Sequence, residues 1–119
     1  MIDATLLFNG MTVFSPWFPR QADMLRGTAE CVAVSGGAVQ IQLYTKNEED
    51  AGNGDPVDTS VYINLSSPGR TTAEWKTVVS QEGVQQLLRF RYVVTGSSDN
   101  DWILYRLLPA VWFDMVSLP

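Results

Sequence analysis

Three features of this sequence predict an all-β domain, an antiparallel β-sandwich or jelly roll of about eight or nine strands. Short segments alternate apolar and polar residues at a period of two. Val, Ile, Thr and aromatic residues are concentrated in those segments. Clusters of Gly, Pro, Asn and Ser separate them every ~8–14 residues. Helical patterns do not intervene, which argues against βαβ units and a parallel sheet. With 119 residues and 45% apolar composition the chain can bury one core but not two. Residues 1–119 are therefore expected to form a single β-sandwich domain.

The first element is expected to be a hairpin. Thr5 to Phe8 and Met11 to Phe14 flank Asn9-Gly10, a dipeptide suited to the positive φ angles of a type I′ turn. Ser15-Pro16-Trp17-Phe18-Pro19-Arg20 has two prolines that cannot donate to a ladder, so it reads as an aromatic loop or an edge. From Ala22 to Val34, Leu25, Ala29, Cys31 and Ala33 alternate with Arg26, Thr28 and Glu30, giving a half-buried strand with Cys31 inward. Ser35-Gly36-Gly37 then leads into Val39 to Thr45, where Val39, Ile41 and Leu43 alternate with Gln40, Gln42 and Tyr44. A second hairpin is expected there.

Lys46 to Asp58 combines Glu48, Glu49, Asp50, Asp55 and Asp58 with Gly52, Gly54 and Pro56, and reads as an exposed, mobile loop. Ser60 to Leu65 is the next strand, closed by Ser66-Ser67-Pro68-Gly69. Thr71 to Gln81 admits a helix opened by Thr71 and Glu74, but Thr72, Thr77, Val78 and Val79 favour a strand. Gln81-Glu82-Gly83 turns the chain into Val84 to Thr95, with Leu88, Phe90, Tyr92 and Val94 on one face and Arg89 and Arg91 on the other. After the polar loop Gly96 to Asp101, Trp102 to Leu108 and Ala110 to Val116 are two apolar segments divided by a bend or bulge at Pro109.

Little in this sequence suggests catalysis. The chain has no histidine, and Cys31, its one cysteine, lies among apolar residues with no base to activate it. A single cysteine also excludes an internal disulfide and suits assembly in a reducing cytoplasm. Paired carboxylates of the glycosidase kind are formally available among 13 acids, but these sit mostly in turn-rich segments where solvation explains them. Asp50-Ala51-Gly52-Asn53-Gly54-Asp55 and Asp99-Asn100-Asp101 offer oxygen ligands for calcium at no established spacing. No catalytic, metal-binding or cofactor-binding residues are assigned.

The net charge of −5 disfavours a phosphate-binding surface, so nucleic acid is not an expected partner. Met1-Ile2-Asp3-Ala4 lacks the features of a secretory signal, no apolar run is long enough to span a bilayer, and membrane association is not expected. Without such a signal the acceptor pattern Asn64-Leu65-Ser66 carries little weight.

The aromatic residues offer two readings. Trp and Tyr side chains can stack on sugars, as in a carbohydrate-binding module, or fill a sandwich core, the role expected for Trp75 and Trp112. Trp17 and Phe18 lie between prolines beside Arg20, a composition suited to a protein interface, and these three are the expected interface residues.

The stretch from Ala22 through Gly36-Gly37 and Val39-Gln-Ile-Gln-Leu-Tyr-Thr to Asp50 resembles the strand, Gly-rich turn and strand of small β-sandwich virion proteins of tailed bacteriophages, including capsid decoration proteins. The resemblance covers about a quarter of the chain. It implies a non-enzymatic subunit, assembled in the host cytoplasm and located in the virion. Its partners would be the major capsid or another virion protein and further copies of itself. The alternative expectation is a carbohydrate-binding module using exposed Trp and Tyr side chains.

Overall fold

The computed structural model describes residues 4–47, 49, 51–77 and 87–114. The chain is all-β. Its strands are β1 (Thr5–Phe8), β2 (Thr12–Phe14), β3 (Phe18–Pro19), β4 (Met24–Ser35), β5 (Ala38–Lys46), β6 (Asp55–Pro56), β7 (Ile63–Leu65), β8 (Gly69–Lys76), β9 (Leu87–Thr95), β10 (Trp102–Leu107) and β11 (Val111–Phe113).

These eleven segments occupy eight positions. β10 and β11 lie end to end along one edge of β4, broken around Pro109, with β8 on the opposite edge. β2 and β3 likewise share one edge of β9, and β6 and β7 share one edge of β5. The first sheet runs β1, β10 with β11, β4, β8; the second runs β2 with β3, β9, β5, β6 with β7. Every pairing between strands is antiparallel. The pairs are nested, with β5 and β6/β7 innermost, then β4 and β8, then β2/β3 and β9, and β1 and β10 outermost. Nested antiparallel pairs folded into two facing sheets make a jelly roll, so the expected class and strand count hold.

The two expected hairpins are corrected. A type I′ turn needs positive φ at both central residues, but only Gly10 (φ 89°) has it, and no other residue type among those described does. Met11 N–H still bonds the Phe8 carbonyl at 3.1 Å. A turn of this kind splays its strands, and β1 and β2 enter different sheets. β4 and β5 also lie in different sheets. Gly36 bridges to Trp102, and a Cβ on Gly37 would stand 2.8 Å from the Trp102 carbonyl carbon and oxygen. The glycine pair thus allows a close crossing between sheets.

The expected alternation holds where it was clearest. Leu25, Ala29 and Cys31 on β4, Val39, Ile41 and Leu43 on β5, and Leu88, Phe90 and Val94 on β9 are buried. Trp75, on the strand favoured for Thr71 onward, is fully buried, and its indole N–H bonds the Val61 carbonyl at 3.1 Å. Fully burying each large side chain of this kind contributes about 1.5–3 kcal/mol. The stretch expected as a mobile acidic loop is more structured: Asp55–Pro56 pairs with β5, and Val57 packs on the core with its N–H bonded to Leu43 O at 2.8 Å. The turn expected at Gln81-Glu82-Gly83, the strand start at Val84, and Glu48 and Asp50 lie outside the described residues.

Candidate functional site

Two surfaces stand out, an aromatic groove along the open seam of the sandwich and an apolar patch on the outer face of the first sheet. The groove follows from strand lengths. β1 reaches only to Thr5, opposite Tyr105, so β10 continues to Leu107 without a strand outside it. On the facing sheet, Ser15 N–H still bonds the Phe90 carbonyl at 2.9 Å, and the ladder between β9 and β2/β3 is interrupted at Pro16-Trp17. Side chains that would otherwise be core are left at the seam. A groove of about 540 Å³ is lined by Trp17, Phe18, Phe90, Tyr92, Leu107 and Trp112, among others. A second, of about 300 Å³, reaches Tyr105 and Val13 and shares Ser15, Pro16, Tyr92 and Leu107 with the first. Among the described residues neither lining contains a charged side chain.

The two tyrosine rings stand 5.6 Å apart at an interplanar angle of 46°. Burial pushes Tyr92 up to about 12, because removal from water disfavours the phenolate. Tyr105 is raised further, first by burial and then by the neighbouring Tyr92. Among the described residues neither hydroxyl has a hydrogen-bond partner. This arrangement suits an uncharged ligand or a partner side chain with a polar edge.

The apolar patch comes from strands that do not alternate. Leu7 and Ile103 point inward, while Leu6 (49% exposed) and Phe8 (42%) point outward beside half-buried Leu104 and Trp102. Val32 (47% exposed) joins them at a bulge: Leu104 faces Ala33 and Tyr105 faces Cys31, which leaves Val32 unpaired. The rest of this face is polar and internally matched. The Glu30 carboxylate accepts from Arg106 Nε at 2.6 Å and Arg70 Nε at 3.4 Å, and Arg26 Nε donates to Glu74 at 2.6 Å. The Arg106 hydrogen bond, more than the Arg70 contacts, holds the Glu30 carboxyl below the usual range.

The three residues expected at an interface do not gather on one free surface. Phe18 packs on the core against Phe90 and Trp112, with ring centroids 5.6 and 6.1 Å away. Trp17 carries Arg89 4.2 Å and Lys46 4.9 Å from its ring centroid, so its ring is largely engaged within the domain. Arg20 braces a corner, donating to the Thr77 carbonyl and, at 2.9 Å, to Asp23. Trp17 and Phe18 reach the surface as groove walls.

On the outer face of the second sheet the Arg89 guanidinium sits between the rings of Phe14 (3.9 Å) and Trp17, donates to Asn53, and has a buried Nε with no acceptor among the described residues. The candidate calcium ligand Asp101 instead accepts the Ser97 and Ser98 N–H groups at 2.9 Å each, a loop brace. Burial raises the Cys31 thiol above its ordinary range, which keeps it in the unreactive form.

The Leu6–Phe8–Val32 patch was not among the sequence candidates, although it left a signal. Leu6-Leu7-Phe8 and Trp102-Ile103-Leu104-Tyr105 are continuous apolar runs, the pattern of strands with cover on both faces. In a two-layer sandwich only one face is covered by the domain itself.

No family model, curated protein or solved structure matches this chain.

Proposed function

We propose that this protein is a non-enzymatic structural subunit, a virion component such as a capsid decoration or cement protein, which docks on neighbouring subunits through apolar surface. The observation that carries this reading is the outward apolar patch of Leu6, Phe8 and Val32 beside Leu104 and Trp102 on the first sheet. Exposed side chains at these positions contribute nothing to the domain's own core, whereas covering them with a neighbour removes apolar surface from water. The virion setting comes from the resemblance of residues 22–50. Its partners in this reading are the major capsid or another virion protein and further copies of the chain, in particles assembled in the host cytoplasm.

The test is the native mass of the complex from which the chain is isolated. A symmetry-related copy number, reduced by Val32→Lys, supports the reading. A chain found only as a free monomer defeats it.

A carbohydrate-binding module remains the second reading, favoured by the groove, whose lining among the described residues is uncharged and includes Tyr92 and Tyr105. The cations over the Trp17 ring count against that residue as a stacking platform. Glycan binding that disappears with Tyr105→Phe or Trp112→Ala would select this reading over the first.

A further inference from the structure

Besides the three-residue fragment β11, which follows Pro109 and whose outer side has no strand among the described residues, the two sheets have four edges, and three carry features that discourage the addition of another strand. β8 bears Arg70, Glu74 and Lys76. β2 and β3 are separated by a segment containing Pro16, and β3 ends at Pro19. β6 and β7 are fragments of two and three residues, the first containing Pro56. Charges, prolines and breaks of this kind limit edge-to-edge association. β1 has none of them: Thr5-Leu6-Leu7-Phe8 has no charge and no proline, and it pairs with β10 in unbroken register.

Among the described residues, the hydrogen bonds fix which main-chain groups of β1 face away from β10. Phe8 O accepts from Met11 N–H and Phe8 N–H donates to Met11 Sδ at 3.3 Å, so the main-chain groups of Phe8 face away from β10. Alternation along an antiparallel strand then turns those of Leu6 outward as well, while Thr5 and Leu7 serve the β10 ladder.

We infer that β1 pairs antiparallel with β1 of a second copy about a two-fold axis at Leu6. The axis sets each Leu6 N–H opposite the other copy's Leu6 carbonyl and joins the two first sheets into one. Leu6, Leu104 and Val32 of each copy then form a single apolar row across the junction. The occupant of this edge must be extended, uncharged and apolar on the outer face, and β1 itself meets that description. Self-pairing here opposes no like charges even in a chain of net charge −5. The inference rests on the reading of this face as a docking surface and doubles that surface.

Sedimentation equilibrium on the full chain tests it. Leu6→Pro removes the outward N–H and sets a ring against the incoming strand without breaking the β1–β10 bonds, since an edge proline is tolerated. Leu6→Lys places two like charges opposite each other. Val32→Lys alters the outer face and leaves the edge alone. The expected result is a concentration-dependent doubling of mass for the wild type and Val32→Lys, and monomers for the two Leu6 variants with wild-type circular dichroism.

If Leu6→Pro fails to fold, Leu6→Lys and Leu6→Cys decide. Directly opposed residues of a hydrogen-bonded pair have Cα atoms about 5.5 Å apart, so Leu6→Cys should form an intermolecular disulfide on oxidation. A wild type that stays monomeric, a dimer that survives Leu6→Lys, or Leu6→Cys without a cross-link overturns the inference. So does a dimer lost with Val32→Lys but kept with Leu6→Pro, which would mean face-to-face packing. A Val32→Lys dimer that still enters the native particle at full copy number would defeat the face reading and leave the edge pairing standing.

Discussion

Raising the pH through the alkaline range should destabilise this protein by way of its two seam tyrosines. An unfolded tyrosine ionises near pH ~10. Tyr92 in the folded chain ionises at about 12, and Tyr105 is raised as well. The folded state therefore holds its protons more tightly than the unfolded state. The resulting stability is fully present below the unfolded value and is lost as pH rises through the folded one. For Tyr92 alone, about two units correspond to about 3 kcal/mol, against a total of about 5–15 kcal/mol for a domain of this kind.

Urea unfolding at several pH values should show the midpoint falling between pH ~10 and 12. Tyrosinate absorbance should retain a component that appears only at the upper end. Tyr105→Phe separates the cause. Its hydroxyl has no partner among the described residues, so the substitution should change stability at neutral pH by less than about 0.5 kcal/mol and flatten the alkaline loss. A midpoint that does not move between those pH values would refute the reasoning. So would a neutral-pH cost above about 1 kcal/mol for Tyr105→Phe, because it would mean that the hydroxyl is satisfied within the protein.

Three further outcomes follow from the same geometry. Glu30 is held below its ordinary 4.5 foremost by the Arg106 hydrogen bond, so its contribution is present above that value and lost as pH falls through the folded one; Glu30→Gln should flatten the acid limb of thermal stability. Gly37→Ala should destabilise by about 1–3 kcal/mol, because its Cβ meets the Trp102 main chain, which can yield only by shifting the strand; differential scanning calorimetry should show a Tm lowered by several degrees. Arg89→Met keeps the aliphatic stem but loses two ring contacts and the bonds to Asn53, an expected cost of about 1–3 kcal/mol in urea unfolding, and Arg89→Lys should recover only part of it.

Strand identity and inward faces were legible in the sequence because period-two alternation reports burial directly. Leu25, Ala29 and Cys31, or Leu88, Phe90 and Val94, are buried for the same reason that they alternate. Strand partners were not legible. Asn9-Gly10 and Gly36-Gly37 signal a reversal of the chain, but whether the next strand returns to the same sheet or crosses to the facing one depends on turn geometry and packing. At Gly37 it depends on Trp102, which lies far along the chain. The groove was hidden for a similar reason, since it arises where β1 ends short of Leu107 and β2 breaks from β3. Phe18 and Trp17 looked available because prolines interrupt their pattern, yet Trp112, Phe90 and Arg89 reach them from other strands.

The outer face of the first sheet divides into a half that needs nothing further and a half that is unfinished. Around Glu30, Arg106, Arg70, Arg26 and Glu74 each charge already has a partner in the plane of the sheet. Around Leu6, Phe8 and Val32, roughly half of each side chain is still in water. Covering these three would gain only about 2–4 kcal/mol, half or less of the value of full burial. A single copy has to offset about 4 kcal/mol or more of lost translational and rotational freedom before it binds at all. The patch is therefore too small to hold one isolated copy on a partner. It becomes effective when copies are already joined, because the second contact then costs little further freedom. In the proposed self-pairing, β1 beside the patch would supply that joining. The edge and the face thus make sense together in an assembly of many copies, and neither does much for a solitary domain.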